Sequence, residues 1–192
     1  MLTPNPDLWY NRKPQTKEPQ MIDAVMYAKY NQAGNRTIYD ILSGMSNEER
    51  EKDRKSFYGG LSGMLRHTLG GTCSFLGMFR SALAGNADAS RAIDSLPPMP
   101  ADGGLDDAGW MELGETLDAI DAAYVAMTES LSEADLRLPV KLDWYGGDPG
   151  SVPLSFLLSQ LLVHNTHHRG QISQVLDELK IDNDFSGIGL LG

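Results

Sequence analysis

The sequence predicts an all-α fold: a four-helix bundle with an extended N-terminal lead-in and long connecting loops. Three observations carry this. Apolar residues recur at three- and four-residue intervals over four long stretches. Capping or helix-stopping residues lie between those stretches. The two-residue alternation of a strand is confined to one short piece. A chain of 192 residues suits one domain with a sizeable core, assigned here to 20–192, behind a lead-in at 1–19.

The lead-in carries Pro4, Pro6, Pro14 and Pro19 among polar residues and reads as extended, with Leu8, Trp9 and Tyr10 available to dock on the body. From Met21 the pattern turns helical through Val25, Met26, Tyr30, Ile38, Ile41 and Leu42, and Gly44 is the expected stop. Gly34 weakens that helix locally. Ser46 with Glu49 forms a capping-box pattern that opens a short helical turn over 47–54. A second long helix is expected over 57–84, with Leu61, Met64, Leu65, Leu69, Phe75, Leu76 and Phe79 as its apolar stripe. Residues 85–104, rich in Gly, Asp, Ala and Pro, read as a long loop. Trp110, Leu113, Leu117, Ile120, Tyr124 and Met127 mark a third helix over 106–131. Leu136 to Trp144 alternates roughly by two and reads as an extended piece or hairpin arm, closed by Gly146, Gly147, Pro149 and Gly150. Ser151 is the expected cap of a fourth helix, with Pro153 in its first turn, running to about Leu179.

Composition narrows the function classes. Acids outnumber bases 26 to 16, for a formal net charge of −10, which disfavours nucleic acid and anionic membrane as partners. The densest basic cluster holds Arg50, Lys52, Arg54 and Lys55 but also Glu49, Glu51 and Asp53, so it reads as a solvated mixed-charge segment. The single cysteine, Cys73, rules out an internal disulfide and fits a reducing compartment. The N-terminus shows no signal-peptide pattern and no apolar run is long enough to span a bilayer, so a cytoplasmic location is expected.

Three of the four histidines fall in His164-Asn165-Thr166-His167-His168-Arg169-Gly170-Gln171. His164 and His168, four apart, leave the same helix face one turn apart and can share a divalent ion. Relative to the buried direction set by Leu154, Leu157, Leu158, Leu161, Ile172, Val175, Leu176 and Leu179, His168 lies about 20° off centre and His164 about 60°, while His167, at about 120°, should leave the core. Two readings stay open: core histidines with hydrogen-bonded rings, or a pair that shares a metal. His67 lies near the edge of its own apolar stripe, and on that pattern alone a surface or capping role is the better reading. It is, however, the only other histidine, and bundle-core metal sites draw ligands from facing helices. Gly70 and Gly71 leave space beside it, or equally serve close helix packing. Cys73 reads as a small apolar residue, and Asp177 and Glu178 as solvent-facing. The sequence carries no phosphate loop, nucleophile elbow, H-E-x-x-H or paired-cysteine metal motif.

These residues resemble the DinB family, within the DinB/YfiT-like metalloenzyme superfamily. The resemblance covers about 27–181. It runs from Tyr27-Ala28-Lys29-Tyr30-Asn31-Gln32-Ala33-Gly34-Asn35, through Ser56-Phe57-Tyr58-Gly59-Gly60-Leu61 and Leu65-Arg66-His67-Thr68-Leu69, past Ala134-Asp135-Leu136, to the motif at His164–Gln171, its most specific part. It implies a four-helix bundle holding one divalent metal, often zinc or nickel, with His67, His164 and His168 as ligands. Many members carry an acidic residue five positions after the first histidine and a Trp eight after. Here these are Thr72 and Phe75, so a different site mouth is expected.

Three neutral histidines would leave the metal dipositive with a position open, the arrangement of a catalytic site. An open zinc lowers the pKa of water to about 7 or holds a thiol as thiolate. Relatives in the superfamily include transferases and isomerases that use low-molecular-weight thiols. The resemblance therefore implies a metal-dependent S-transferase acting with a small thiol on a small-molecule substrate. The alternatives are a non-catalytic metal- or ligand-binding stress-response protein and a metal-dependent hydrolase. The rim residue His167 is the one candidate base. A homodimer is a further expectation.

Overall fold

The computed structural model describes residues 23–100, 104–142 and 150–185. The lead-in, with Leu8, Trp9 and Tyr10, the start of the first predicted helix at Met21, and the Gly146–Pro149 closure lie outside the described residues.

Helix α1, Ala24–Ser43, is capped by Asp23, whose carboxylate accepts the Met26 N–H at 2.8 Å. Gly44 ends it as the sequence predicts. Ser46 caps the short α2, Asn47–Glu51, by accepting the Glu49 N–H at 3.2 Å. Helix α3 spans Leu61–Phe79 and is shorter than expected. Residues 56–59 instead form a tight turn with Gly59 at φ 73°. A methyl on Gly60 would stand 2.5 Å from the Arg50 carbonyl oxygen, so only glycine lets the chain cross there.

The predicted 85–104 loop contains a helix, α4, Ala87–Asp94. Asn86 caps it and Ala89, Ala92 and Ile93 bury its inner face, so eight residues with a good cap suffice when a neighbouring helix covers them. That neighbour is α5, Asp107–Glu129, capped by Asp106. A 3₁₀ turn, Asp135–Arg137, leads into strand β1, Pro139–Lys141. It pairs antiparallel with β2, Ser151–Pro153, with Val140 opposite Val152. The hairpin arm is thus present. Ser151 is not the cap of the last helix, because its backbone is in the ladder. Pro153 takes the N-cap position with extended backbone, and α6 runs Leu154–Glu178.

The segment from Glu49 to Lys55 is not uniformly solvated. Arg50 is 3% exposed. Its guanidinium donates to the Leu42 and Met45 carbonyls, pairs with Asp107, and lies 4.6 Å from the centre of the Trp110 ring.

The four long helices pack α1 on α5 and α3 on α6, with further contacts of α1 with α6 and α3 with α5. They enclose two apolar clusters. One gathers Ala28, Leu76, Phe79, Tyr124, Met127, Leu157 and Leu161. The other gathers Ile38, Leu42, Leu65, Leu69, Leu117, Ile120, Ile172 and Leu176. Each long helix passes from one cluster to the other, and at the crossing its buried residues turn polar: Asn31 and Asn35 on α1, Thr72 on α3, Asp121 on α5, and Asn165, His168 and Arg169 on α6. A polar layer therefore separates two apolar cores. Among the described residues, no helix is long and apolar enough to cross a membrane.

Candidate metal centre

The histidines stand beside this polar layer. Helix α6 supplies His164 and His168 from consecutive turns, and α3, packed against it, supplies His67. Ring centroids are 4.5 Å apart for His164–His168 and for His67–His168, and 5.3 Å for His67–His164. One ligand atom from each residue lies within 4.8 Å of the other two, so one small cation could touch all three. His168 is buried, and His67 and His164 are half-buried, in keeping with the angular reading of α6.

Burial disfavours the charged form of His67 and His168. Burial, followed by the proximity of His168 and His164, pushes the His67 pKa down to about 4. Burial also lowers His168, against the opposing effect of its hydrogen bond with Gln171. Two rings are engaged at Nδ1: His164 with Asn165 Oδ1 at 3.1 Å, and His168 with Gln171 Oε1 at 2.7 Å. An amide oxygen only accepts, so each Nδ1 carries a hydrogen, and in the neutral ring Nε2 keeps its lone pair. Imidazoles whose Nδ1 is tied back and whose Nε2 is turned to the cluster are what a divalent transition ion requires, so the residues fit such an ion.

Gly71 makes the site sterically feasible. A methyl there would stand 2.4 Å from His164 Cε1. The room expected beside His67 is thus room for His164, and Gly71 alone provides it, since a methyl on Gly70 meets nothing within 4 Å.

Tyr58 is the site residue that sequence reasoning missed. Its ring stacks on His67 with centroids 4.0 Å apart and planes 20° from parallel, and meets His168 edge-on at 5.4 Å. The turn beneath it is held by Ser56, whose hydroxyl donates to the Gly59 carbonyl and accepts the Tyr58 N–H. A methyl on Gly63 would lie 2.0 Å from the Tyr58 carbonyl oxygen, so glycine lets the turn sit directly on α3. Tyr58, His67, Gly70 and Gly71 line a cavity of about 950 Å³. Glu51 and Arg66 add charged groups to its wall, and Phe57, 96% exposed, stands at its edge.

The other sequence candidates fall elsewhere. His167 is exposed, with its ring 5.0 Å from that of His168, and lines a different cavity of about 590 Å³ with Gln171 and Glu178. Cys73 is half-buried against the apolar core, where burial and then the Asp121 charge push its thiol pKa up. Asp177 and Glu178 are exposed. Thr72, expected at the mouth, is instead fully buried in the polar layer. Phe75 does border the site, 6.0 Å from the His164 ring.

Mostly helical architecture and a three-histidine cluster between two packed helices define a class of helical proteins with a candidate metal centre. The model of the DinB family matches residues 20–179, and the chain belongs to that family. Comparison with curated proteins and with solved structures finds no match.

Proposed function

We propose that the protein is a metal-dependent enzyme of the thiol S-transferase type, built as a single-domain four-helix bundle. One divalent ion, zinc or nickel, would be held by His67, His164 and His168, and would activate a small thiol or water against an electrophile. The observation that carries this reading is the convergence of three imidazoles beside a cavity large enough for a small-molecule substrate. In this reading Tyr58 covers one face of His67 and shields it from water. The Gly70 backbone, with nothing within 4 Å of where a methyl would stand, leaves the approach open. His167, outside the cluster, is the candidate for proton transfer at the rim.

Elemental analysis of the purified protein tests the site. Near-stoichiometric zinc or nickel in wild type, lost in His67→Ala and His168→Ala, is the expected result. A folded wild type that takes up neither metal would end the proposal. With metal loaded, product analysis across panels of low-molecular-weight thiols separates S-transfer from hydrolysis. Loss of rate with retained metal in His167→Asn would give that residue its role. No turnover in any panel at full occupancy would favour a non-catalytic binding protein.

A further inference from the structure

We infer that Asn31 and Thr72 are positioning residues that fix which nitrogen of His164 is offered to a cation, through a one-way chain of hydrogen bonds across the buried polar layer. The inference rests on the metal reading above for its purpose, but not for its geometry.

The chain begins at a group whose direction is not in question. Arg169 can only donate, and its Nη1 donates to Asn31 Oδ1 at 2.9 Å. The Asn31 oxygen therefore faces Arg169, and Asn31 Nδ2 faces the other way, donating to Asp121 Oδ1 at 3.1 Å. Asn35 holds the same carboxylate, with Nδ2 3.1 Å from both of its oxygens. Arg169 thus fixes the orientation of Asn31 and leaves its amide nitrogen to Asp121. The remaining capacity of Asn31 Oδ1 is taken by Asn165 Nδ2 at 2.7 Å.

Thr72 repeats the instruction from the opposite helix. Its hydroxyl donates to the Thr68 carbonyl at 3.2 Å, so its oxygen is left to accept, and it accepts from Asn165 Nδ2 at 3.2 Å. Both hydrogens of the Asn165 amide are then used, and its oxygen has one direction left, toward His164 Nδ1 at 3.1 Å. That contact forces the hydrogen onto Nδ1 and leaves Nε2 for the ion. Asn31, Thr72 and Asn165 are all buried, so water does not compete for these bonds. His168 reaches the same state through Gln171, but Gln171 is half-buried and stands at the edge of the second cavity. The His164 chain is the one built into the core.

The test is the tautomer of His164 in the metal-free protein, read by ¹⁵N-histidine NMR at a pH where the rings are neutral, with zinc affinity measured alongside. Wild type should show His164 as the Nδ1–H form. Asn31→Leu with Thr72→Val removes both acceptors that orient Asn165, and His164 should then populate both tautomers, with zinc binding weakened roughly ten- to a hundredfold. Asn31→Asp keeps an acceptor toward Asn165 and should retain the Nδ1–H form. Because the double variant replaces buried polar groups, a circular-dichroism melt establishes that it folds. If it does not, the single variants Asn31→Leu and Thr72→Val, each of which removes one of the two acceptors, carry the same comparison. An Nε2–H or mixed His164 in wild type, or a double variant that stays fully Nδ1–H, overturns the inference. An Nδ1–H wild type that takes up no zinc upholds the hydrogen-bond chain and overturns the metal reading instead.

Discussion

Gly71 and His164 occupy each other's space: the ring of His164 fills the volume where a side chain on residue 71 would begin, with Cε1 2.4 Å and Nδ1 3.1 Å from the position of a methyl carbon. Gly71→Ala should therefore displace the His164 ring and lower metal affinity at least tenfold. Gly70→Ala is the internal control. It adds a methyl to the same helix where nothing lies within 4 Å, and should leave metal binding intact while stabilising α3 by about 1 kcal/mol. Calorimetric titration with zinc and thermal melts of the two variants decide the matter. Equal affinities would mean that His164 can relocate without loss.

Asp121 gives the metal-free protein a pH dependence of definite sign. Burial raises its pKa from 3.8 to about 7, against the hydrogen bonds from Asn35 and Asn31 and the nearby Arg169 charge. Between those values the folded chain keeps a proton that the unfolded chain has released. The contribution of the group to stability is thus complete below about pH 4 and is lost as pH rises through about 7. Asp121→Asn cannot ionise and lacks this slope. The melting temperature of the variant relative to wild type should rise from pH 4.5 to pH 7.5. A difference that does not change with pH would show that the three accepted hydrogen bonds outweigh burial.

Arg50 should prove structural. Its buried guanidinium satisfies the carbonyls of Leu42, in the last turn of α1, and Met45, just past its end, and lies over Trp110. Arg50→Lys keeps the charge but loses the planar fork and the ring contact, and should cost about 2 kcal/mol in a denaturant titration. Asp107→Asn should cost under about 0.5 kcal/mol, because the Asp107 side chain is 90% exposed and its ion pair is solvated. A Lys variant as stable as wild type would return Arg50 to the solvated segment that its neighbours suggest.

The long helices were legible because their stripes repeat over many turns and a missing residue or two does not change the phase. The His164–His168 pair was legible for the same reason: i, i+4 spacing on a helix is a statement about direction. Local context hid the rest. Helix α4 lies between glycine- and proline-rich flanks, although Asn86, Asp88 and Arg91 are good cap and dipole residues. Ser151 carries the composition of a cap, but pairing with Lys141 decides its role. The polar layer was passed over because Asn and Asp on an amphipathic helix are read as its wet face. The phase contradicts that: Asn31 and Asn35 continue the stripe of Ala28, Ile38 and Leu42, and Asn165 continues that of Leu158, Leu161 and Ile172. Tyr58 left no such trace, since only the folded turn places it on His67.

Tyr58 provides the last prediction, which concerns why His67 is neutral. The depression of its pKa from 6.5 to about 4 is caused first by burial and then by the two neighbouring imidazoles. Tyr58, stacked 4.0 Å from the ring, covers one of its faces. A base with a depressed folded pKa contributes stability above about pH 6.5 and loses it as pH falls through about 4. Tyr58→Ala hydrates the ring and should move the His67 titration upward toward 6.5, whereas Tyr58→Phe keeps the stack and should leave it low. Proton NMR titration of the metal-free variants reads this directly. In the same variants, zinc should begin to compete with protons at a higher pH in Tyr58→Ala than in wild type or Tyr58→Phe. If His67 still titrates near 4 in Tyr58→Ala, then the crowding of His164 and His168, rather than cover by the tyrosine, keeps the first ligand deprotonated.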